Sequence, residues 1–432
     1  MLVPMTQRIG ALMTGVRRLI CACCAGGAVV LTVPGASVRA SEAEVVSNQP
    51  ASHGTTNRAG VREARVVAPG LWSGRAELRA TLVLPPSFDA QKPCPVLMLL
   101  PPGAQDEAMV DAALEMFEAE ALRRGWAIYA PRSSGRPLAE SGAADFDRWL
   151  LDLGERVRVE SGVVYIVGVS NGGVAAFPVA LAHADSAASL LVLPGYCPEA
   201  EQANLARLAR VPVMMLAGKD DEAWLKRSES TAAALREAGV NVQLIPVPRE
   251  GHVIRDLPHA KMWEFLEKSR ESAAKRAAGS VPAPADALAA RSAASRTLDA
   301  LHEAAGRADE RAYFDLYQPD AVFMGTDPSE RWTMEQFRGY AHPAFAKGKG
   351  WTYHPVSRNL FVGPSGDTVW FDEELEHAIY GRCRGTGVVV RVDSGSPGAG
   401  AQWRVAQYSL SVPIPNDQLK PSIELWKGAA KK

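Results

Sequence analysis

The chain has 432 residues, more than one ordinary domain needs and enough for two with cores of their own. Its 47% hydrophobic and 22% charged residues make a globular composition. A net charge of -1 leaves no electrostatic case for a nucleic-acid partner.

At the N-terminus, Arg8, Arg17 and Arg18 precede an apolar run from Leu19 to Val33, followed by Val38-Arg39-Ala40. A basic region, a short apolar stretch and a small terminal residue predict a secretory signal peptide over 1–40, cut after Ala40, and hence a secreted or periplasmic protein. The apolar run is short and rich in Gly and Ala for a membrane span. A retained anchor, a twin-arginine signal at Arg17-Arg18 and a lipoprotein site around Cys21 and Cys23 are the weaker alternatives. Residues 41–61 are polar and aperiodic, a flexible leader. Cys21, Cys23 and Cys24 fall in the export segment. Cys94, Cys197 and Cys383 are too widely spaced for a disulfide framework or a metal site, although one bridge is allowed. No metal or other cofactor is expected.

Strands are predicted at 65–67, 78–84, 95–100, 126–130, 163–167, 189–193, 211–217 and 242–247. Helical stripes lie between them, at Val110 to Leu122, Phe146 to Val157, Val174 to Ala184 and Ser228 to Ala238. Alternation of short apolar strands with helices predicts a doubly wound, mostly parallel α/β sheet over 62–270. The composition shifts to Ala, Arg, Ser and Pro over 271–291, read as a linker that is helical in part. Beyond it come helical stripes at Leu298-Leu301-Ala305 and Tyr313-Phe314-Tyr317. After Ala321 the chain reads as strands alone, at 321–323, 351–356, 368–377, 387–392 and 403–412. Helices followed by strands predict a separate α+β domain over 292–420, with 421–432 as a tail.

The strand Val163 to Val167 runs into Gly168-Val169-Ser170-Asn171-Gly172-Gly173. G-x-S-x-G between a strand and a helix is the pattern of a nucleophile elbow, though the bare motif arises readily by chance. A serine nucleophile needs a base, and the base needs an orienting carboxylate. Both follow in order: the strand 211–217 ends at Gly218-Lys219-Asp220-Asp221, and the strand 242–247 leads to Glu250-Gly251-His252. Sites in open α/β sheets form beyond the carboxyl ends of strands, so all three candidates share one rim. Asp221 is the favoured acid and Asp220 the alternative. His252 outranks His259, at a helix start, and His183, at a helix end. The oxyanion donors are expected to be the N–H groups of Asn171 and Ala104. Pro102 lacks an N–H, Gly103 gives the turn its freedom, and Gln105 either meets substrate or braces the loop.

On these motifs residues 62–270 resemble a small lidless α/β-hydrolase of the esterase and phospholipase/carboxylesterase type. The resemblance implies a serine hydrolase cleaving a small-molecule ester or acyl bond through an acyl-enzyme. A departure is Pro101-Pro102-Gly103, where that family often has His-Gly. Residues 292–418 resemble the SnoaL-like branch of the nuclear transport factor 2-like superfamily, through Phe323 to Asp327, Ala341-His342-Pro343, Lys349-Gly350-Trp351, Cys383 to Gly387 and Tyr408 to Pro415. The resemblance implies a curved sheet with helices around a cone-shaped pocket, and a homodimer as one role for the domain. A strand at Trp370 to Leu375 would place Trp370, Asp372 and Glu374 on one face. Arg384 paired with Asp372 or Glu374 is the candidate pocket feature. Asp327 and His342 could form an acid/base pair, and Trp332, Trp351 and Trp370 read as core. The rival readings are a binding protein, or an isomerase- or cyclase-like enzyme, working through this pocket.

Overall fold

The computed structural model describes residues 61–67, 77–280, 283–392 and 402–429. The predicted export segment and residues 41–60 of the predicted leader lie outside them, and Val61, read as the leader's last residue, is the first residue of a strand.

The first half is an eight-stranded sheet: β1 (Val61–Val67), β2 (Leu78–Leu84), β3 (Val96–Leu100), β4 (Ala127–Pro131), β5 (Val164–Val169), β6 (Ala187–Leu193), β7 (Val213–Gly218) and β8 (Val242–Val247). The order is β1-β2-β4-β3-β5-β6-β7-β8. From β4 to β8 every pairing is parallel, and β1 and β2 add two antiparallel strands at one edge. Helices cover both faces: α1 (Glu107–Arg123) and α5 (His259–Ala277) on one, α2 (Leu138–Arg156), α3 (Asn171–Ala182) and α4 (Glu222–Glu237) on the other. Every residue of β3, β5, β6 and β7 is buried, which is why these segments read as unbroken apolar runs. Phe146, Trp149 and Phe177 pack beneath one face, and Phe117, Trp126 and Trp263 beneath the other.

The stretch 271–291 is helical for most of its length, since α5 runs to Ala277 and α6 (Pro284–Gly306) begins before its end. The front of α6 packs against α2: Leu288 joins the core under the first sheet, and Ser292 lies against Gly154. Arg158 pairs with Asp286 at 2.8 Å. The rear of α6 puts Leu298, Leu301 and Ala305 into the second core.

That second core is built on α7 (Glu310–Asp315), β9 (Tyr317–Met324), β10 (Arg331–Thr333), α8 (Met334–Phe345), β11 (His354–Val362), β12 (Thr368–His377), β13 (Gly381–Val392) and β14 (Gln402–Ser411), with α9 (Asn416–Ala429) last. The strand order is β10-β9-β14-β13-β12-β11, antiparallel except where β14 meets β9. Strands alone are expected after Ala321, and α8 and α9 correct that expectation. Helix α8 starts at a reciprocal capping box, in which the Thr333 hydroxyl accepts from the Gln336 N–H and the Gln336 side chain accepts from the Thr333 N–H.

On β12 the alternation holds, but the pocket pair does not. Val369, Phe371, Glu373 and Leu375 are buried, while Trp370 and Glu374 are exposed and Asp372 is half-buried, accepting from Asn359 at 2.7 Å. Arg384 is exposed on β13, opposite Glu374. Asp372 and Arg384 are therefore on the outer face. The buried ion pair is Arg358 with Glu373, 2.8 Å apart and both without exposed side-chain surface.

Candidate active site

Strand β5 ends in a turn that leaves Ser170 at φ 54° and ψ -116°, a conformation L-residues rarely adopt. A Cβ on Gly168 would strike the carbonyl of Gly172, and one on Gly172 would strike the carbonyl of Leu100. Glycine at those positions lets β5, α3 and the end of β3 meet backbone to backbone. The Ser170 N–H donates to the Leu193 carbonyl at 3.1 Å, tying the elbow to β6.

Two later loops reach the same rim. Asp221 ends the loop after β7 and caps α4, its Oδ1 accepting from the Trp224 N–H at 3.4 Å. Its other oxygen lies 2.8 Å from His252 Nδ1, and His252 Nε2 lies 2.8 Å from Ser170 Oγ. Ser170, His252 and Asp221 thus form one continuous hydrogen-bonded chain. The helix N-terminus behind Asp221 favours its negative charge. Asp220 is exposed and contributes its backbone N–H to the Glu250 carbonyl at 2.9 Å. His259 is the first residue of α5, and His183 caps the end of α3, stacked on Phe146 with Nε2 2.6 Å from the Ala143 carbonyl.

Two supporting residues were not read from the sequence. The Trp224 ring meets the His252 ring edge-on at 4.7 Å, and Tyr196 packs behind it. Glu250 fastens the histidine loop, accepting from the N–H groups of Arg255 and Asp256 at 3.0 Å each. Those bonds hold its carboxyl below the usual range. The spacing Glu250…Arg255-Asp256 carries no motif, so nothing local in the sequence marks it.

The loop after β3 also resolves. Gln105 is 3% exposed, and its side-chain oxygen accepts from the Leu138 N–H at 2.8 Å. Its amide donates to the Pro101 carbonyl at 3.4 Å, and its backbone carbonyl accepts from Ser133 at 2.8 Å. Gln105 braces the loop. Ala104 is exposed and lines, with Asn171, a pocket of about 470 Å³. The Asn171 side chain donates to the Gly103 carbonyl at 3.0 Å, clamping that loop to the elbow. As the first residue of α3, Asn171 has no carbonyl within the helix for its N–H.

On the other side of Ser170 lies a groove of about 1140 Å³, lined by Ser170, His252 and side chains of α1 and of the loop 253–257. Among the described residues no cluster of three or more His, Cys, Asp or Glu could hold a metal ion.

In the second half, Asp327 is bonded to Ser329 and His342 to Glu310, so those two do not meet. The ionisable cluster there is Glu373, contacted by Arg358, by His302 at 2.8 Å and by the Tyr408 hydroxyl at 2.7 Å. Burial alone would raise its carboxyl, but the Arg358 and His302 charges and these hydrogen bonds hold it well below the usual range. Arg358 also donates to Asp299 and Ser295 of α6.

Residues 295–415 match the family model of the SnoaL-like domain. No curated protein sequence matches the chain. Among solved structures, the first half overlays a putative dipeptidyl aminopeptidase IV from Bacteroides ovatus, 16% identical, over 50% of this chain and 36% of that one, with a TM-score of 0.42. The chain therefore spans only about a third of that protein. An S-formylglutathione hydrolase from Agrobacterium tumefaciens is 17% identical over 51% of this chain and 97% of that one, TM-score 0.38. An NTF2-like protein of unknown function from Pseudomonas putida is 14% identical over 30% of this chain and 91% of that one, TM-score 0.25. These likenesses are distant, and the fold assignment stands on strand order, the elbow and the matched domain. The chain joins an α/β-hydrolase fold, from β1 to α5, to a C-terminal SnoaL-like domain matched over residues 295–415.

Proposed function

We propose that the chain is an exported serine hydrolase, carboxylesterase-like, that cleaves a small-molecule ester or related acyl bond. The observation that carries this reading is the Ser170–His252–Asp221 chain, with both links at 2.8 Å, on the carboxyl-end rim of the sheet. Ser170 Oγ attacks the carbonyl carbon as His252 Nε2 takes its proton, and Asp221 holds the Nδ1–H and offsets the imidazolium charge. The N–H groups of Asn171 and Ala104 receive the oxyanion. Collapse breaks the ester bond, His252 returns the proton to the departing alcohol, and a water then hydrolyses the acyl-enzyme by the same relay. This chemistry needs no cofactor.

Export is inferred from the pattern of residues 1–40 alone. The hydrolase half is assigned to 62–270, and the SnoaL-like half to 292–420 as a dimerisation or small-ligand domain. The rival reading is binding or isomerisation by the C-terminal half, where the buried ionisable cluster is Glu373 with Arg358, His302 and Tyr408. We assign that cluster to stability, since Glu373 is engaged by Arg358, His302 and Tyr408 together.

The test is labelling with a fluorophosphonate. Wild type is expected to be labelled and Ser170→Ala to lose the label entirely. A folded wild type that takes no label rejects the hydrolase, and full function in Ser170→Ala would point to the C-terminal half.

A further inference from the structure

Helix α1 carries two apolar stripes. One, with Val110, Ala113, Leu114, Phe117 and Ala121, is buried in the core. The second, Met109, Ala112, Met116 and Ala119, stays half-buried or exposed, on the side where a surface helix ordinarily carries charge. Spaced three and four residues apart, these four side chains make one line along the helix. That line is a wall of the groove beside Ser170.

The opposing wall comes from Val253, Ile254 and Leu257, which directly follow His252. Val253 is 68% exposed, an apolar side chain left in water with no core to fill. The groove also has a direction. Met109 Sδ sits where a Cβ on Gly103 would come within 2.8 Å, so the N-terminal end of the stripe adjoins the loop beside Ser170. At the other end Glu120 and Arg123, bonded to each other, line the groove. From Met109 to Arg123 the helix advances about 21 Å, at 1.5 Å per residue. Pro102, Val169 and Leu193 add apolar lining, and Glu115, Arg255 and His259 add polar or charged lining.

We propose that this groove binds an unbranched aliphatic chain of the substrate, laid along α1 from Ser170 toward Arg123. The substrate class is then an ester of a medium- or long-chain fatty acid, or of the corresponding alcohol. The inference rests on Ser170 being the nucleophile. Its physical basis is that every methylene moved from water onto the Met109–Ala119 line adds apolar burial realised in the bound transition state. A compact polar substrate would leave most of the groove wet.

Two ester series test it: p-nitrophenyl esters from acetate to dodecanoate, and alkyl acetates from methyl to dodecyl. In one series kcat/KM is expected to rise about two- to fourfold per added methylene until the groove is filled. Which series rises identifies whether the acid or the alcohol occupies the groove. Ala112→Trp, near Ser170, should lower the ratio of kcat/KM for both hexyl and dodecyl chains to that for the shortest ester. Ala119→Trp, farther along, should lower it for the dodecyl chain alone. Each fall should be about tenfold, the worth of a couple of excluded methylenes, with thermal melts checking that both variants fold. Flat profiles in both series, or ratios unmoved by both substitutions, overturn the inference. Labelling of wild-type Ser170 by the small diisopropyl fluorophosphate separates the two claims. A label with flat profiles rejects the groove alone, whereas no label rejects the nucleophile as well.

Discussion

Asp221 does two jobs with two oxygens, one closing the cap of α4 and the other 2.8 Å from His252. Asp220, its neighbour in sequence, uses its backbone to reach the histidine loop and keeps its carboxylate exposed. Sequence order brings both residues to the rim and favours Asp221 with Asp220 as the alternative; the α4 cap and the His252 contact show how Asp221 is held there. Asp221→Asn should therefore lower kcat for ester hydrolysis by about 10³- to 10⁴-fold, the scale on which losing the orienting carboxylate misplaces the histidine tautomer. Asp220→Asn should behave as an ordinary surface change. Comparable losses in the two variants would mean that the acid is misassigned. Trp224 and Glu250 were invisible in the sequence: each acts on His252 or its loop across a distance in the chain that no spacing rule covers.

At the scale of elements, the sheet of the first half was largely legible, since β3, β5, β6 and β7 are buried throughout and contain only apolar or small residues. Reading the second half was harder. The capping signal of α8, Thr333 with Gln336, was present in the sequence, but Pro343, which the last turn accommodates, reads as a helix breaker and strand-like runs surround the segment. On β12 the period of two was correct and its phase was not. Apolar count favours Val369, Phe371 and Leu375 as the buried set, and that set carries Glu373 inward with it. A carboxylate in a core is stable only with partners, here Arg358, His302 and Tyr408 drawn from β11, α6 and β14. Glu373→Gln would leave Arg358 with less than its full counter-charge, and should lower stability by about 3–5 kcal/mol in denaturant unfolding. Because the folded carboxyl lies below its ordinary value of 4.5, its contribution is complete above that pH. The contribution is lost as pH falls from there toward the folded value. Wild type should show this acid loss of stability, and Glu373→Gln should lack that share of it.

For the whole molecule, the three cysteines Cys94, Cys197 and Cys383 are free and buried, so no disulfide among the described residues joins the parts. Burial pushes the Cys94 thiol up to about 11 and that of Cys197 up to about 12, which keeps both protonated and unreactive at neutral pH. What joins the halves is α6, whose front fills the hydrolase core with Leu288 while its rear fills the second core with Leu298 and Leu301. The composition of 271–291 suggested a tether, because alanine-rich sequence serves equally well for a loose connection and for a helix packed against two neighbours.

That shared helix makes covalent continuity and physical attachment separate properties of this protein. Gly279 and Ser280, past the end of α5, are exposed and lie where a protease could cut without unwinding that helix or α6. A cut there would leave α6 attached by its chain to the C-terminal half and by its packing to the N-terminal half. Limited proteolysis should yield two fragments on a denaturing gel that still migrate as one species in gel filtration. Fragments that part at once would show that the α2–α6 contact is too weak to hold the halves unaided.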